Sequence, residues 1–294
     1  MPELPDIAVY LDCLVPRVLG QPLDRLTVRN PFVLRSVSPT PAEIAGSRVE
    51  GLRRMGKRIV LALERERFVV VHLMIAGRLR WFGAGGKAPG RIALALFEFP
   101  RGTLVLTEAG TTRRASIHLV EGEAGLQPFE RGGLEVLDAG PAAFGERLVS
   151  ENHTLKRALT DPRLFSGIGN AYSDEILHRA RLSPLALTRK LAPADIEGLY
   201  HATRETLEDW TRRLRAEVGE GFPEKMTAFR DGMAVHGRYG QPCPVCGTRV
   251  QRIRYAANET NYCARCQTGG RLLADRAMSR LLHEDWPRSI DDLE

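Results

Sequence analysis

Cys243-Pro244-Val245-Cys246 and Cys263-Ala264-Arg265-Cys266 stand sixteen residues apart near the end of the chain. Two C-x-x-C knuckles at this separation can supply four thiolates to one tetrahedral zinc on a β-hairpin. The competing reading, buried thiols or a redox pair, rarely produces a doubled knuckle. A site closed by four thiolates has no open position for water, so the Zn2+ expected here is structural. Chemistry therefore has to reside elsewhere in the chain.

The bulk composition bounds where. At 294 residues the chain can build two domains, each with its own core. Hydrophobic content of 43% with 27% charged residues fits a globular protein. The 42 Lys and Arg exceed the 36 Asp and Glu by six, and the sequence pI is about 9.3. That excess favours a polyanionic partner such as nucleic acid without establishing one. No apolar run is long enough for a membrane span, and Met1-Pro2-Glu3-Leu4-Pro5-Asp6 lacks the pattern of a signal peptide. The expected location is the cytoplasm. Cys13, outside the knuckles, reads as a small core residue.

Upstream of the knuckles the periodicity changes twice. Residues 69–74 and 91–99 are β-rich, and Pro100-Arg101-Gly102 turns the second run into a strand at 103–107. Strands at such short spacing predict a β-sandwich. Residues 7–19 are the exception, with Val9, Leu11, Leu14, Val15 and Val18 spaced for a helix. From about residue 150 the period is helical. Leu155, Leu159, Leu164, Ile176 and Leu177 lie in helical stretches broken at Gly167-Ile168-Gly169-Asn170. A longer helix then carries Ile196, Leu199, Leu207, Trp210 and Leu214 on one face. The predicted class is α+β: an N-terminal β-sandwich with a flanking helix (1–135), a linker (136–150), a helical domain (151–234), a zinc-ribbon hairpin (235–267) and a C-terminal extension (268–294). In the extension, Leu273, Ala277, Leu281 and Trp286 are spaced for a short amphipathic helix.

Pro2 is a candidate nucleophile. Removal of Met1, which aminopeptidases perform before small residues, leaves a secondary α-amine with an ordinary pKa near 8. Such an amine can attack an electrophilic sugar carbon and form an iminium. Glu3 beside it can move protons. Alone, Met-Pro-Glu reads more simply as a frayed end. It gains weight from company: Pro2-Glu3-Leu4-Pro5, Gly56-Lys57-Arg58, Gly167 to Glu175 and Val235-His236-Gly237-Arg238-Tyr239-Gly240 before the knuckles form an ordered set. Over residues 2–267 this set resembles the formamidopyrimidine-DNA glycosylase / endonuclease VIII family.

The resemblance implies a helix–two-turns–helix domain between sandwich and finger, with damaged DNA as partner and a monomeric enzyme associated with the nucleoid when bound. It implies that Pro2 displaces the damaged base as the imine-forming nucleophile, that Glu3 shuttles protons, and that Lys57 contacts phosphate and assists β-elimination. It also implies DNA contacts by His72, Lys156 and Asn170. At the positions of the family's void-filling residues stand Ile75, Arg113 and Ala115, and at the fingertip arginine stands Asn258. Ala115 cannot stack on an orphaned base, and Asn258 cannot replace a guanidinium fork. A second, δ-elimination is therefore in doubt, with Arg252, Arg254 or Arg265 as substitutes. Asp6 replaces a frequent glutamate and shortens its reach toward the lesion. The expected activity is a bifunctional DNA glycosylase and abasic-site lyase acting on oxidised or ring-opened bases. The alternative is a non-catalytic damaged- or structured-DNA binding protein on the same scaffold.

Overall fold

The computed structural model describes residues 1–294 except 87–88, 110–111, 224–225, 228–229, 256–257, 275–279, 282–285 and 294, and the side chains of 255 and 258. The chain divides into two compact units. One comprises 1–131 and 210–227, the other 132–209 and 228–294.

The first unit opens with α1 (Leu4–Val18). Glu3 is its N-cap, and a capping box joins the two ends of the first turn: the Glu3 side chain accepts from the Asp6 N–H, and Asp6 Oδ2 accepts from the Glu3 N–H at 2.8 Å. Pro5 sits in the first turn, where its missing N–H costs nothing. Then follow β1 (Arg25–Val28), α2 (Pro41–Ile44), β2 (Val49–Met55), β3 (Arg58–Leu63), β4 (Arg67–His72), β5 (Gly77–Gly83), β6 (Ala93–Phe99), β7 (Gly102–Glu108) and β8 (Ser116–Glu121). Two antiparallel four-stranded sheets result, ordered β1-β6-β7-β5 and β2-β3-β4-β8. Alternate residues such as Ile59, Leu61, Val69 and Val71 of one sheet and Phe97, Leu104 and Leu106 of the other meet in one core with Tyr10 and Leu14 of α1. The predicted strands, the hairpin at 100–102 and the flanking helix are all present.

The second unit holds α3 (Pro141–Val149), α4 (Leu155–Thr160), α5 (Asn170–Arg179), the hairpin β9 (Gln251–Tyr255) and β10 (Asn258–Tyr262), and α7 (Ala264–Thr268). The stretch expected as a linker thus carries a helix. Leu164 lies in the turns between α4 and α5 rather than in a helix, but is buried like the rest. The long helix α6 (Pro193–Val218) passes from the second unit to the first at Trp210. Leu214, Phe222 and Met226 pack into the core of the first unit.

The extension folds onto the finger. Tyr262, Ala264, Leu272, Leu273 and Ile290 form a small core of their own. The Leu273 N–H donates to the Tyr262 hydroxyl at 2.8 Å, and Arg265 pairs with Asp291 at 2.6 Å. Most of the expected helix at 273–286 lies outside the described residues.

Candidate DNA-repair site and zinc centre

In the first unit the capping box fixes the chain's start. Pro2, Glu3 and Asp6 are all buried, Glu3 and Asp6 at 2% exposure each. Burial lowers the Met1 amine below its ordinary 8.0. Glu3 and Asp6 oppose that shift, whereas Arg78 and Lys57 add to it. The charges of Glu3, Arg78, Asp6 and Lys57, two of them expected site residues, thus all act on the amine that precedes Pro2. Lys57 acts from the tight β2–β3 turn, where Gly56 takes a positive φ of 60°. Asp6 serves the helix start: its carboxylate is engaged by the Glu3 backbone.

His72 ends β4 opposite Arg58 and Ser116. Burial, reinforced by Arg58, Lys57 and His118, pushes its pKa down to about 4. It is therefore a neutral imidazole at pH 7. Just beyond, the loop from Leu73 to Gly77 thrusts Ile75 outward at 59% exposure, while Met74 adopts a positive φ of 54°. The Gly77 N–H closes the loop onto the Leu73 carbonyl at 2.9 Å. Arg78 Nη1 donates to the Ile75 and Gly77 carbonyls at 3.1 and 2.7 Å, and its charge also acts on the Met1 amine. Arg113 is exposed and donates to the Arg91 carbonyl at 3.3 Å. Ala115 is a core residue at 3% exposure. Its N–H and that of Arg114 are held by buried Glu108 at 3.0 and 2.9 Å.

In the second unit the residues converge on α5. Lys156 donates to the Asn170 carbonyl at 2.7 Å and to Asp174 Oδ1 at 2.6 Å. Asp174, fully buried, accepts from His236 Nδ1 at 2.8 Å. Glu175 accepts three backbone N–H groups, from Ala234, Val235 and His236, at 2.7–2.9 Å. Lys156 is thus engaged by two acceptors within its own unit. Asn170 opens α5 as expected, and its amide donates to the Glu259 carbonyl of the finger at 2.8 Å. The sequence motifs contained Asp174, Glu175 and His236, but nothing in their spacing revealed this network.

On the finger hairpin Asn258 begins β10 opposite Tyr255, and its side chain lies outside the described residues. Arg254 donates to Glu259 at 3.1 Å, and Arg252 lies 3.5 Å from the same carboxylate, its guanidinium 4.0 Å above the Tyr239 ring. Arg265 is committed to Asp291. The four cysteine sulfurs lie within 4.8 Å of one another. Cys243 to Cys266 is 3.9 Å and Cys246 to Cys263 is 3.4 Å, bracketing the ~3.8 Å expected of tetrahedral zinc with 2.3 Å bonds. Without a cation, burial pushes the Cys266 thiol up to about 11 and raises Cys263 further. Four ionised thiolates are therefore tenable only around a metal. The donor set and spacing fit a structural Zn2+.

These parts define a two-unit protein with an N-terminal sandwich, a helix–two-turns–helix segment and a four-cysteine zinc finger. Family profiles match in the same order: the formamidopyrimidine-DNA glycosylase N-terminal domain over residues 1–115, its H2TH domain over 135–215, and the zinc finger found in FPG and IleRS over 240–269. The formamidopyrimidine-DNA glycosylase of Symbiobacterium thermophilum is 30% identical, across 91% of this chain and 89% of its own. That of Aromatoleum aromaticum is 34% identical, across 91% and 99%. The crystal structure of the MutM (Fpg) protein from Thermus thermophilus superposes with a TM-score of 0.75 at 32% identity, covering 90% of this chain and 98% of that one. A Lactococcus lactis formamidopyrimidine-DNA glycosylase bound to abasic-site DNA shares the fold at 22% identity, with a TM-score of 0.78 and coverage of 90% and 99%. The chain belongs to the formamidopyrimidine-DNA glycosylase family.

Proposed function

We propose that this protein excises damaged bases from DNA and cleaves the abasic strand by β-elimination. The observation that carries this reading is the start of the chain, where buried Pro2 and Glu3 lead into α1 and the charges of Glu3, Asp6, Lys57 and Arg78 act on the terminal amine. Removal of Met1 turns the Pro2 nitrogen from an amide into a secondary amine at that place. The amine then bonds to C1′ of the deoxyribose as the glycosidic C–N bond breaks, and Glu3 supplies the proton that leaves with the base. Glu3 then takes the amine proton and passes it to O4′ as the C1′–O4′ bond breaks, and the iminium formed by this ring opening acidifies the C2′ proton. Loss of that proton expels the 3′ phosphate and completes β-elimination. The target base has to be everted first, because C1′ is inaccessible in a stacked duplex.

Lys57 and the neutral imidazole of His72 are suited to hold phosphate beside the reacting sugar, and exposed Ile75 is suited to fill the gap left by eversion. Asn170 and Arg113 add phosphate or base contacts in the same scheme. Lys156 acts at one remove by holding the start of α5. Without a fingertip arginine the second elimination is weak, and the substrates are oxidised or ring-opened bases. The test is borohydride reduction in the presence of an abasic duplex. The Met1-processed protein should give a covalent adduct at its amino terminus, and Pro2→Gly should excise damaged bases more slowly. Glu3→Gln should slow base excision by about 100-fold or more. Unchanged base excision by Pro2→Gly would reject the assignment.

A further inference from the structure

We infer that His178 is an outer partner of the zinc site, joining α5 to the metal through the Cys243 sulfur. His178 lies in the last turn of α5 at 6% exposure, and its Nε2 is 3.3 Å from Cys243 Sγ. A thiolate can only accept, so Nε2 carries the hydrogen and donates.

The need for such a donor follows from charge. Four thiolates around Zn2+ leave the centre with a net charge of −2, and Cys243 and Cys263 are buried. Sulfurs in such a centre are stabilised by N–H or O–H donors that spread this charge. Two of the donors are local to the knuckles: Thr248 serves Cys246, and the Cys266 backbone serves Cys263. The donor to Cys243 comes instead from a different element. His178 is also not isolated along its helix. Asn170 at the start of α5 holds the Glu259 carbonyl, and Glu175 in the middle holds the 234–236 backbone. Just past its end the Leu182 carbonyl accepts from Gln267 at 2.9 Å. The helix is a rail on which the finger is fixed at successive points, and His178 is the point that touches the metal's own ligand. Zinc occupancy and the position of Asn170 are then properties of one element.

The experiment compares His178→Gln with His178→Met in the full-length zinc-loaded protein. Glutamine places an amide N–H near the position of Nε2, whereas methionine fills the space without a donor. Zinc release is followed with a chromogenic chelator, and the thiolate-to-metal charge-transfer band is recorded after cobalt substitution. H178M should release zinc 10–100-fold faster than the parent, with the cobalt band moved to longer wavelength, because an unbonded thiolate is the stronger electron donor. H178Q should stay close to the parent in both. An H178M chain that cannot retain zinc, beside an H178Q chain that can, supports the same conclusion. Equal release and identical bands for H178Q and H178M would overturn it, whether both match the parent or both are fast.

Discussion

At the amino terminus two carboxylates with different tasks share one helix start. Glu3 is the candidate proton carrier, and Asp6 fixes the Glu3 backbone. Sequence alone placed Pro2 and Glu3 together because they are adjacent. It did not reveal that Asp6 closes a capping box, because a capping box and a substrate contact call for the same kind of residue. His72 illustrates a different limit. Its place at a strand end was legible, but its protonation state depends on burial and on Arg58, Lys57 and His118, which come from two other segments. This makes a testable consequence for stability. In the unfolded chain His72 takes its proton near pH 6.5, and in the fold only near pH 4. Between those values the unfolded chain holds more protons, so stability falls as the pH drops from 6.5 toward 4 and is unaffected above that range. The loss amounts to as much as about 3 kcal/mol. Urea unfolding at pH 7 and pH 4.5 should show a smaller acid loss in His72→Gln than in the parent. An identical loss would mean that His72 does not titrate in this way.

The elements that carry candidate contacts are a β-loop and a finger hairpin. In the loop after β4, a Cβ on Gly77 would lie 2.2 Å from the Leu73 carbonyl oxygen. Gly77→Ala should therefore open the loop at a cost of about 1–3 kcal/mol. It should displace Ile75 and reduce excision from duplex DNA more than from single strands, since only a duplex leaves a gap to fill. Equal losses on both substrates would contradict the wedge role. In the finger, β9 and β10 set Arg254 opposite Glu259, so the arginines proposed as substitutes for the fingertip residue are already turned to a carboxylate. Asn258→Arg should add a guanidinium at the hairpin and raise the share of δ-elimination product on a sequencing gel. A product ladder unchanged from the parent would count against that. Strands and helices were readable from periodicity. The partners of Lys156 and His178 were not, because they arise from helix ends and knuckles brought together only by the fold of the second unit.

For the whole molecule, the division of labour between two units implies separable failures. Chelation of zinc should unfold the finger and its small extension core and abolish tight DNA binding, while the sandwich core around α1 keeps its own cooperative melting transition. Calorimetry should then show the sandwich transition persisting in the metal-free protein; its disappearance would show that the units do not fold independently. The knuckles, the sandwich strands and the amino-terminal motif made the family legible before any coordinates. The passage of α6 from one unit to the other at Trp210 did not show, because a continuous apolar face has the same period on either core. The central claim concerns one bond between the protein and the sugar. Its most direct test is mass spectrometry of the borohydride-reduced adduct with abasic DNA, digested to peptides. The nucleotide remnant should be found on a fragment whose first residue is Pro2, with Met1 gone. A remnant carried by Lys57, or by any other side chain, would contradict the account.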